Sequence, residues 1–472
     1  EVRTSMNKGL RNLGEKMATS EISREVEYSS SDHSKVHDFK ISDKNSIKLI
    51  VPPTVYPPRR DTKLLLEGLE RIKLQPGNLV EIGCGSGAIS IAKALEGWNV
   101  TAFDVNPLAV VATKGNSEVA GVNDRVTVEE GGVGEENWKL PANADLVVWN
   151  LPYLSPDLEN ILGPMEEAAL TDERLRGWSE QLLDLANEES QNGTIFVLLM
   201  NSDSNPKNSP LTWVRKGWSK RSLAVERVGG DTLEVIAFWR PGFGSEPTYL
   251  EKTNSTMDEA RNLPKFGWQR IRSAEQISGR GRKGAIWHSN QGDMIASWSV
   301  KLEELNRFTP GLLQVSIGAS ICEALGVQMK WPNDLIWQGR KCGGILLESS
   351  TYDGTIRIGV GLNKKAGEIE GFSYSGWTEY IGEIDSNEMF QIIDAAIGSI
   401  LDSTPPIDST ENTIWQQKSW AKLCEILSTG VVAKFDGRAV NIVGLSGAGS
   451  LRAYSDSTAY EISDVDDLSI TF

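Results

Sequence analysis

Between about Leu49 and Arg240 the apolar positions switch repeatedly between continuous runs and helical spacing. Leu79 to Ile82 is a short run suited to a buried strand, and Ala88, Ile91, Ala92 and Leu95 follow at the spacing of one helix face. Val100 to Phe103 predicts a second strand. Asn106-Pro107 then supplies an N-cap with proline at the first helical position. Leu146 to Trp149, Ile195 to Met200 and Leu233 to Trp239 predict further strands. Strand–helix alternation of this kind predicts an α/β domain, residues 48–241, built on a parallel, doubly wound sheet.

The pattern breaks at Pro241-Gly242-Phe243-Gly244-Ser245-Glu246-Pro247, where Gly and Pro mark a short connector. A second mixed region covers residues 248–428. In residues 429–472, short strand-like segments are separated by turn signals at Asp436-Gly437 and at Ser446-Gly447-Ala448-Gly449, which predicts a small all-β barrel. At the other end, residues 1–47 are polar, with weak apolar periodicity. They read as a disordered leader, with a short helical cap on the next domain as the alternative.

Composition narrows the function classes. The formal net charge of −16 over 472 residues disfavours nucleic acid as a main partner, because phosphate binding needs a basic face. The four cysteines (Cys84, Cys322, Cys342, Cys424) and three histidines (His33, His37, His288) are scattered, which argues against a structural zinc site and fits a reducing cytoplasm. Apolar runs such as Thr194 to Met200 are too short to span a bilayer, and no signal peptide is visible.

Glu81-Ile82-Gly83-Cys84-Gly85-Ser86-Gly87 lies between a predicted strand and helix, where glycines let the backbone turn tightly and approach a ligand at a helix N-terminus. Asp104 ends the next strand, at the place from which a carboxylate accepts hydrogen bonds from ribose hydroxyls. Asn150-Leu151-Pro152-Tyr153 closes a later strand. There an Asn side chain and a Pro carbonyl can accept from a planar –NH₂ group while the Tyr ring packs against it.

Together these blocks resemble the Rossmann-like class I S-adenosylmethionine methyltransferases that modify a planar nitrogen. Tyr56-Pro57-Pro58-Arg59-Arg60-Asp61-Thr62 adds a resemblance to the HemK-type protein-glutamine methyltransferases of translation release factors, extending from about Val51 to Trp239. The resemblance implies S-adenosylmethionine binding by Glu81, Gly83, Cys84, Gly85, Gly87, Asp104 and Asn150. It implies catalysis by Asn150, Pro152 and Tyr153, chiefly through positioning. It also admits a small activating subunit. Those enzymes usually carry Pro where this chain has Leu151, and Asn-Leu-Pro-Tyr occurs in ribosomal RNA adenine dimethyltransferases. Glu130-Gly131-Gly132 stands where an adenine-contacting acid would be expected. Taken alone, Arg59 and Asp61 also fit a solvated ion pair.

The C-terminal half carries the densest signal. Gly279-Arg280-Gly281-Arg282-Lys283-Gly284 is by itself a flexible basic loop. It stands in order with Ser255-Thr256, Gln276, Trp287, Lys330-Trp331-Pro332-Asn333-Asp334, Arg340-Lys341-Cys342-Gly343-Gly344 and Ile358-Gly359-Val360-Gly361-Leu362-Asn363. From about Tyr249 to the C-terminus these blocks resemble the biotin–protein ligases. The resemblance implies an α+β catalytic domain followed by an SH3-like β-barrel. It also implies ATP-dependent biotinylation of a lysine through biotinyl-5′-AMP.

In that comparison Lys341, Arg280 and Arg282 are catalytic, the two arginines on a glycine-hinged lid that shields the intermediate from water. Ser255, Thr256, Met257, Gln276, Gly279, Gly281, Gly344 and Gly359 fall at biotin positions, with Met257 replacing the family's usual Asn. Arg280, Arg282, Trp287, Lys330, Asn333, Asp334, Lys341 and Asn363 fall at ATP or AMP positions, and Asp334 is also a candidate Mg²⁺ ligand.

The expectation is a bifunctional cytoplasmic enzyme using ATP, Mg²⁺, biotin and S-adenosylmethionine. Its implied partners are a biotin carboxyl carrier domain of an acyl-CoA carboxylase and a translation release factor. Alternatives for the N-terminal half are an RNA or DNA adenine methyltransferase, or an inactive scaffold. For the C-terminal half the rival is a lipoate ligase.

Overall fold

The computed structural model describes residues 34–42, 45–152, 177–201, 209–228, 231–302, 308–350, 354–369, 371–455 and 458–471. The chain divides into two compact units. Unit 1 comprises Glu1–Pro210 and Ser222–Ala237, and unit 2 comprises Leu211–Arg221 and Phe238–Phe472.

Unit 1 begins its described part with strands β1 (Lys35–Lys40) and β2 (Ser46–Val51), paired antiparallel from Lys35↔Val51 to Lys40↔Ser46. This corrects the expected leader of residues 1–47 over its last third. Ile47, Leu49 and Val51 alternate inward and are buried, while Ser46, Lys48 and Ile50 face out. A period of two buries one face of a strand whatever the polarity of the other. Residues 1–33 lie outside the described part.

Then follow α1 (Arg60–Leu69), β3 (Asn78–Ile82), α2 (Ala88–Leu95), β4 (Asn99–Asp104), α3 (Pro107–Val119), β5 (Val126–Glu130), β6 (Leu146–Asn150), α4 (Trp178–Glu189) and β7 (Ile195–Asn201). After these come α5 (Pro210–Arg215), β8 (Ser219–Val228) and β9 (Asp231–Trp239). The seven-stranded sheet has the order β5-β4-β3-β6-β7-β9-β8, with β3, β4, β5, β6 and β7 parallel. Every residue of β7 is buried, which explains its unbroken apolar run. At the start of α3 the Asn106 side chain accepts from Leu108 N–H at 3.0 Å, with Pro107 at the first helical position. The chain runs outward through β3, β4 and β5 and returns to β6 beside β3. The carboxyl ends of β3 and β6 therefore flank a topological switch point, where such sheets open a ligand crevice.

Unit 2 is organised around a nine-stranded sheet. Its main path runs β10 (Thr248–Thr253), β11 (Gln269–Gln276), β14 (Met294–Lys301), β18 (Thr355–Leu362), β17 (Arg340–Ser350), β16 (Asp334–Trp337) and β15 (Gln328–Lys330). The hairpin of β19 (Gly367–Ile369) and β20 (Phe372–Tyr374) joins at β17, and β12 (Gly279–Arg280) pairs separately with β13 (Ile286–Trp287). Besides the one-turn α6 (Thr256–Glu259), helices α7 (Pro310–Leu325), α8 (Ser386–Leu401) and α9 (Asn412–Leu427) share a buried core with the sheet through residues such as Ile317, Ile321, Trp298, Ile358 and Phe390.

The C-terminal strands β21 (Val432–Phe435), β22 (Arg438–Leu445), β23 (Leu451–Ser455), β24 (Thr458–Ile462) and β25 (Leu468–Thr471) form a sheet of order β24-β23-β22-β21-β25. Among the described residues no pairing joins β24 to β25. The described strands thus do not close into the expected β-barrel.

The expected boundary at residue 241 also shifts. Unit 2 takes in the segment 211–221, whose Val214 belongs to its core, and resumes at Phe238. Trp213 stacks on Phe238 at 4.6 Å and meets Trp218 edge-on at 5.4 Å. Arg221 donates to the carbonyls of Ile407 and Asp402. The connector is folded as well, since Trp239 Nε1 and Gly242 N both donate to Asp402 Oδ2, at 2.9 and 2.7 Å. No helix among the described residues is long and apolar enough to cross a membrane.

Candidate active sites

The crevice at the switch point of unit 1 is a cavity of about 310 Å³. Its floor is the turn after β3. Gly83, Gly85 and Gly87 have φ of 68°, 55° and 83°, in the region that favours glycine. A Cβ on Gly87 would stand 2.9 Å from Thr113 Cγ2. Glu81, Gly83, Cys84, Gly85, Asp104, Asn150 and Pro152 all line the cavity. Gly87 does not; it is the left-handed N-cap of α2. Tyr153 lies outside the described residues.

Asp104 is aimed by two backbone donors. Gly85 N–H donates to its Oδ2 at 2.8 Å and Asn106 N–H to its Oδ1 at 2.9 Å. Burial pushes its carboxyl above the usual range, and these two donors oppose the shift. Each oxygen keeps a lone pair for a ligand hydroxyl. Burial pushes the Glu81 carboxyl up to about 8, against a hydrogen bond from Ser90. Its ordinary value is 4.5, so between the two values the folded state holds a proton that the unfolded chain has released. Stability must then fall as pH rises through that window. The thermal midpoint of wild type is expected to drop more steeply than that of Glu81→Gln from about pH 5 to about pH 8. Parallel curves would contradict the shift.

Other residues complete the lining. Thr54, Val55, Tyr56 and Pro58 form one wall, while Trp149 and Trp178 meet edge-on at 6.1 Å in another. Glu130 does not line the cavity; Val105, Gly131, Gly132 and Val133 do, so the side expected to carry an acid is apolar. Leu151 is fully buried, which makes it a core residue beside the cavity. Asp61 and Arg59 are not a solvated pair. Asp61 is 3% exposed and accepts from Asn150 Nδ2 at 2.7 Å, whereas the Arg59 guanidinium lies over the Tyr56 ring at 4.9 Å.

Unit 2 holds a second cavity of about 340 Å³. Ser255, Thr256, Met257, Gln276, Arg280, Gly281, Arg282, Trp287, Lys330, Asn333, Asp334, Lys341, Gly344 and Gly359 all line it. Gly279 and Asn363 do not. Gly279 pairs with Trp287 in the β12–β13 ladder, and Asn363 is buried with its amide donating to Ser375 O at 3.1 Å.

Lys341 Nζ lies 2.6 Å from Asp334 Oδ1 and 5.8 Å from the centre of the Trp287 ring. The register places Lys341 one strand from Asp334, across the β16–β17 bulge at Leu335/Ile336. Gln276 Oε1 accepts from Thr256 N at 2.9 Å and from Thr256 Oγ1 at 3.3 Å. Ser297 Oγ donates to Thr256 Oγ1 at 2.9 Å. Met257 Sδ stands 2.8 Å from where a Gly359 Cβ would be, and Trp287 fills the equivalent space at Gly361. Side chains at either glycine would displace these walls.

Above them runs the loop 279–287. Arg280 meets Asp258 at 3.0 Å and Glu348 at 3.4 Å. Lys283 reaches Asp464 at 2.8 Å and Asp466 at 2.5 Å, and Val465 and Asp466 also line the cavity. Three buried donors here have no hydrogen-bond partner: Arg280 Nε, Arg282 Nη1 and Trp287 Nε1. Buried donors are seldom left unsatisfied. Grouped with Lys341 and Lys330, they make a cavity suited to a polyanionic ligand.

Residues 249–363 match the biotin/lipoate A/B protein ligase family, and residues 60–164 match the ribosomal protein L11 methyltransferase family, PrmA. The bifunctional ligase/repressor BirA of Bacillus subtilis is 32% identical over 24% of this chain and 38% of its own length. A protein of Methanocaldococcus jannaschii named as a protein N5-glutamine methyltransferase is 37% identical over 23% of this chain and 52% of its own. The solved biotin protein ligase from Aquifex aeolicus, in complex with biotin and ATP, aligns with a TM-score of 0.40 at 23% identity, covering 48% of this chain and 99% of that one. The chain thus spans less than two thirds of the length of both curated relatives.

Proposed function

We propose that this chain, which joins a methyltransferase domain to a biotin/lipoate-ligase domain, is a bifunctional enzyme. Its ligase half activates biotin with ATP and passes it to a lysine of a carboxyl carrier domain. The observation that carries this reading is the set of unsatisfied donors over the Lys341–Asp334 pair. A biotin carboxylate oxygen attacks the α-phosphorus, and the bond to pyrophosphate breaks. The acceptor amine then attacks the acyl carbon and AMP leaves. Both steps concentrate charge on phosphate oxygens, where Lys341, Arg280 and Arg282 can donate. Any Mg²⁺ arrives with the nucleotide. Asp334 would be the residue to hold such an ion, which would neutralise phosphate charge.

Biotin-dependent exchange of pyrophosphate into ATP is the test. Exchange with lipoate or octanoate instead would move this half to the lipoate ligases. Arg280→Gly frees Asp258 and Glu348 from the loop. It is expected to release biotinyl-AMP early, so that lysines of bystander proteins become labelled. Labelling that stays confined to the carrier would argue against a shielding loop.

The N-terminal half is proposed to transfer a methyl group from S-adenosylmethionine to a planar nitrogen, with a release-factor glutamine as the acceptor. Asp104 receives the ribose hydroxyls, and Asn150 and the Pro152 carbonyl receive the acceptor –NH₂. The similarity to a protein named for N5-glutamine methyl transfer supports a protein acceptor. A small activating subunit belongs to the same proposal. Incorporation of labelled methyl into purified release factor, but not into ribosomal RNA, is expected; the reverse would select the adenine reading.

A further inference from the structure

Asn150 is bonded at one end only. Its Nδ2 donates to Asp61 Oδ2 at 2.7 Å, while its Oδ1 is buried, has no hydrogen-bond partner, and belongs to a residue lining the cavity. The two ends of a carboxamide are nearly equal in size, so something must decide which faces the ligand. Asp61 is itself buried, and its other oxygen accepts from Thr62 N–H at 2.7 Å and from the Thr62 hydroxyl at 3.3 Å. An ionised carboxylate accepts only, so it can hold only the –NH₂ end of Asn150.

We propose that Asp61 is the positioning residue of this site. It locks the Asn150 amide with the carbonyl oxygen toward the cavity, and so selects an acceptor atom that brings a proton, such as a primary carboxamide or amine, against a carboxylate. This rests on reading Asn150 as the group that meets the methyl acceptor. Asp61 touches neither acceptor nor cofactor in this role. With Asn at position 61, two –NH₂ groups would face each other. Asn150 would turn over and present a donor to the acceptor's own donor.

The test has two arms. In ¹⁵N-labelled protein the side-chain amide pair of Asn150 is identified by its loss in Asn150→Ala. In wild type one of its protons is expected to be shifted downfield and protected from exchange, and Asp61→Asn should remove both properties. An unchanged pair would overturn the proposal. In the second arm, Asp61→Asn is expected to lower kcat for methyl transfer about a hundredfold, as for a misplaced positioning group, with the affinity for S-adenosylmethionine unchanged.

The double variant Asp61→Asn/Asn150→Asp restores an N–H···O contact with an acceptor oxygen facing the cavity. It should regain at least about tenfold over either single variant. It also takes over the test if Asp61→Asn alone does not fold. A double variant no better than the singles, or Asp61→Asn at wild-type kcat, would sink the idea. If wild type methylates no release factor, the acceptor assignment falls, while the amide resonances still decide the role of Asp61.

Discussion

Lys341→Ala is expected to lower biotin-dependent pyrophosphate–ATP exchange at least about a hundredfold, the usual effect of removing one donor aimed at developing charge. Lys341 Nζ is 2.6 Å from Asp334, in a cavity whose two arginines, Arg280 and Arg282, stand on a glycine-rich loop. Lys341 differs from them in being held on β17 in the middle of a sheet, so its ammonium is in place before any loop closes. Losing it removes a cation and also leaves the Asp334 carboxylate facing the incoming phosphates. The Asp334→Ala/Lys341→Ala double variant should therefore be less impaired than the sum of the two single losses. Exchange within a fewfold of wild type for Lys341→Ala would remove this residue from the chemistry.

Asn150→Ala is expected to abolish methyl transfer while S-adenosylmethionine binds with nearly unchanged affinity. The cofactor side of the cavity is built from other elements: the turn 83–86, Asp104 and the apolar patch of Val105 and Val133. Asn150 stands at the end of β6, on a different strand from the turn and from Asp104. Truncation removes an oriented acceptor without disturbing the turn. The loss should therefore fall on kcat, because orientation of the acceptor nitrogen is what the site supplies to an already activated methyl group. Transfer at more than about a tenth of the wild-type rate would show that Asn150 does not orient the acceptor. Loss of cofactor binding instead would place it on the cofactor side.

Elements carried by local periodicity were legible in the sequence. β7 is buried along its whole length, α3 starts at its Asn-Pro cap, and the glycine turn and Asp104 meet in one crevice because their strands are adjacent. Features that depend on distant partners were not. Asp61 lies 89 residues from Asn150, and although the Tyr56–Thr62 motif marked it, nothing near it in the chain foretold its bond to that amide. Lys283 lies 181 residues from Asp464, so the contribution of the C-terminal sheet to the second cavity has no local signature. The β1–β2 hairpin was hidden for another reason. Apart from Val36 and Ile50 its outward positions are Lys, Asp and Ser, and such composition imitates a solvated tail until the inward alternation of Ile47, Leu49 and Val51 is read by itself.

The path of the backbone has a consequence for how the gene can be divided. Residues 211–221 are folded with 238–472, while 222–237 return to the first unit. A single cut in the Gly/Pro stretch after Arg240 would produce two polypeptides that are each wrong. The downstream product would lack Trp239 and Arg221, leaving the Asp402 carboxylate and the carbonyl of Ile407 without their donors. The upstream product would carry Trp213, Trp218 and Phe238, which belong to the second unit. No single breakpoint separates the two units, since each is assembled from two stretches of the chain.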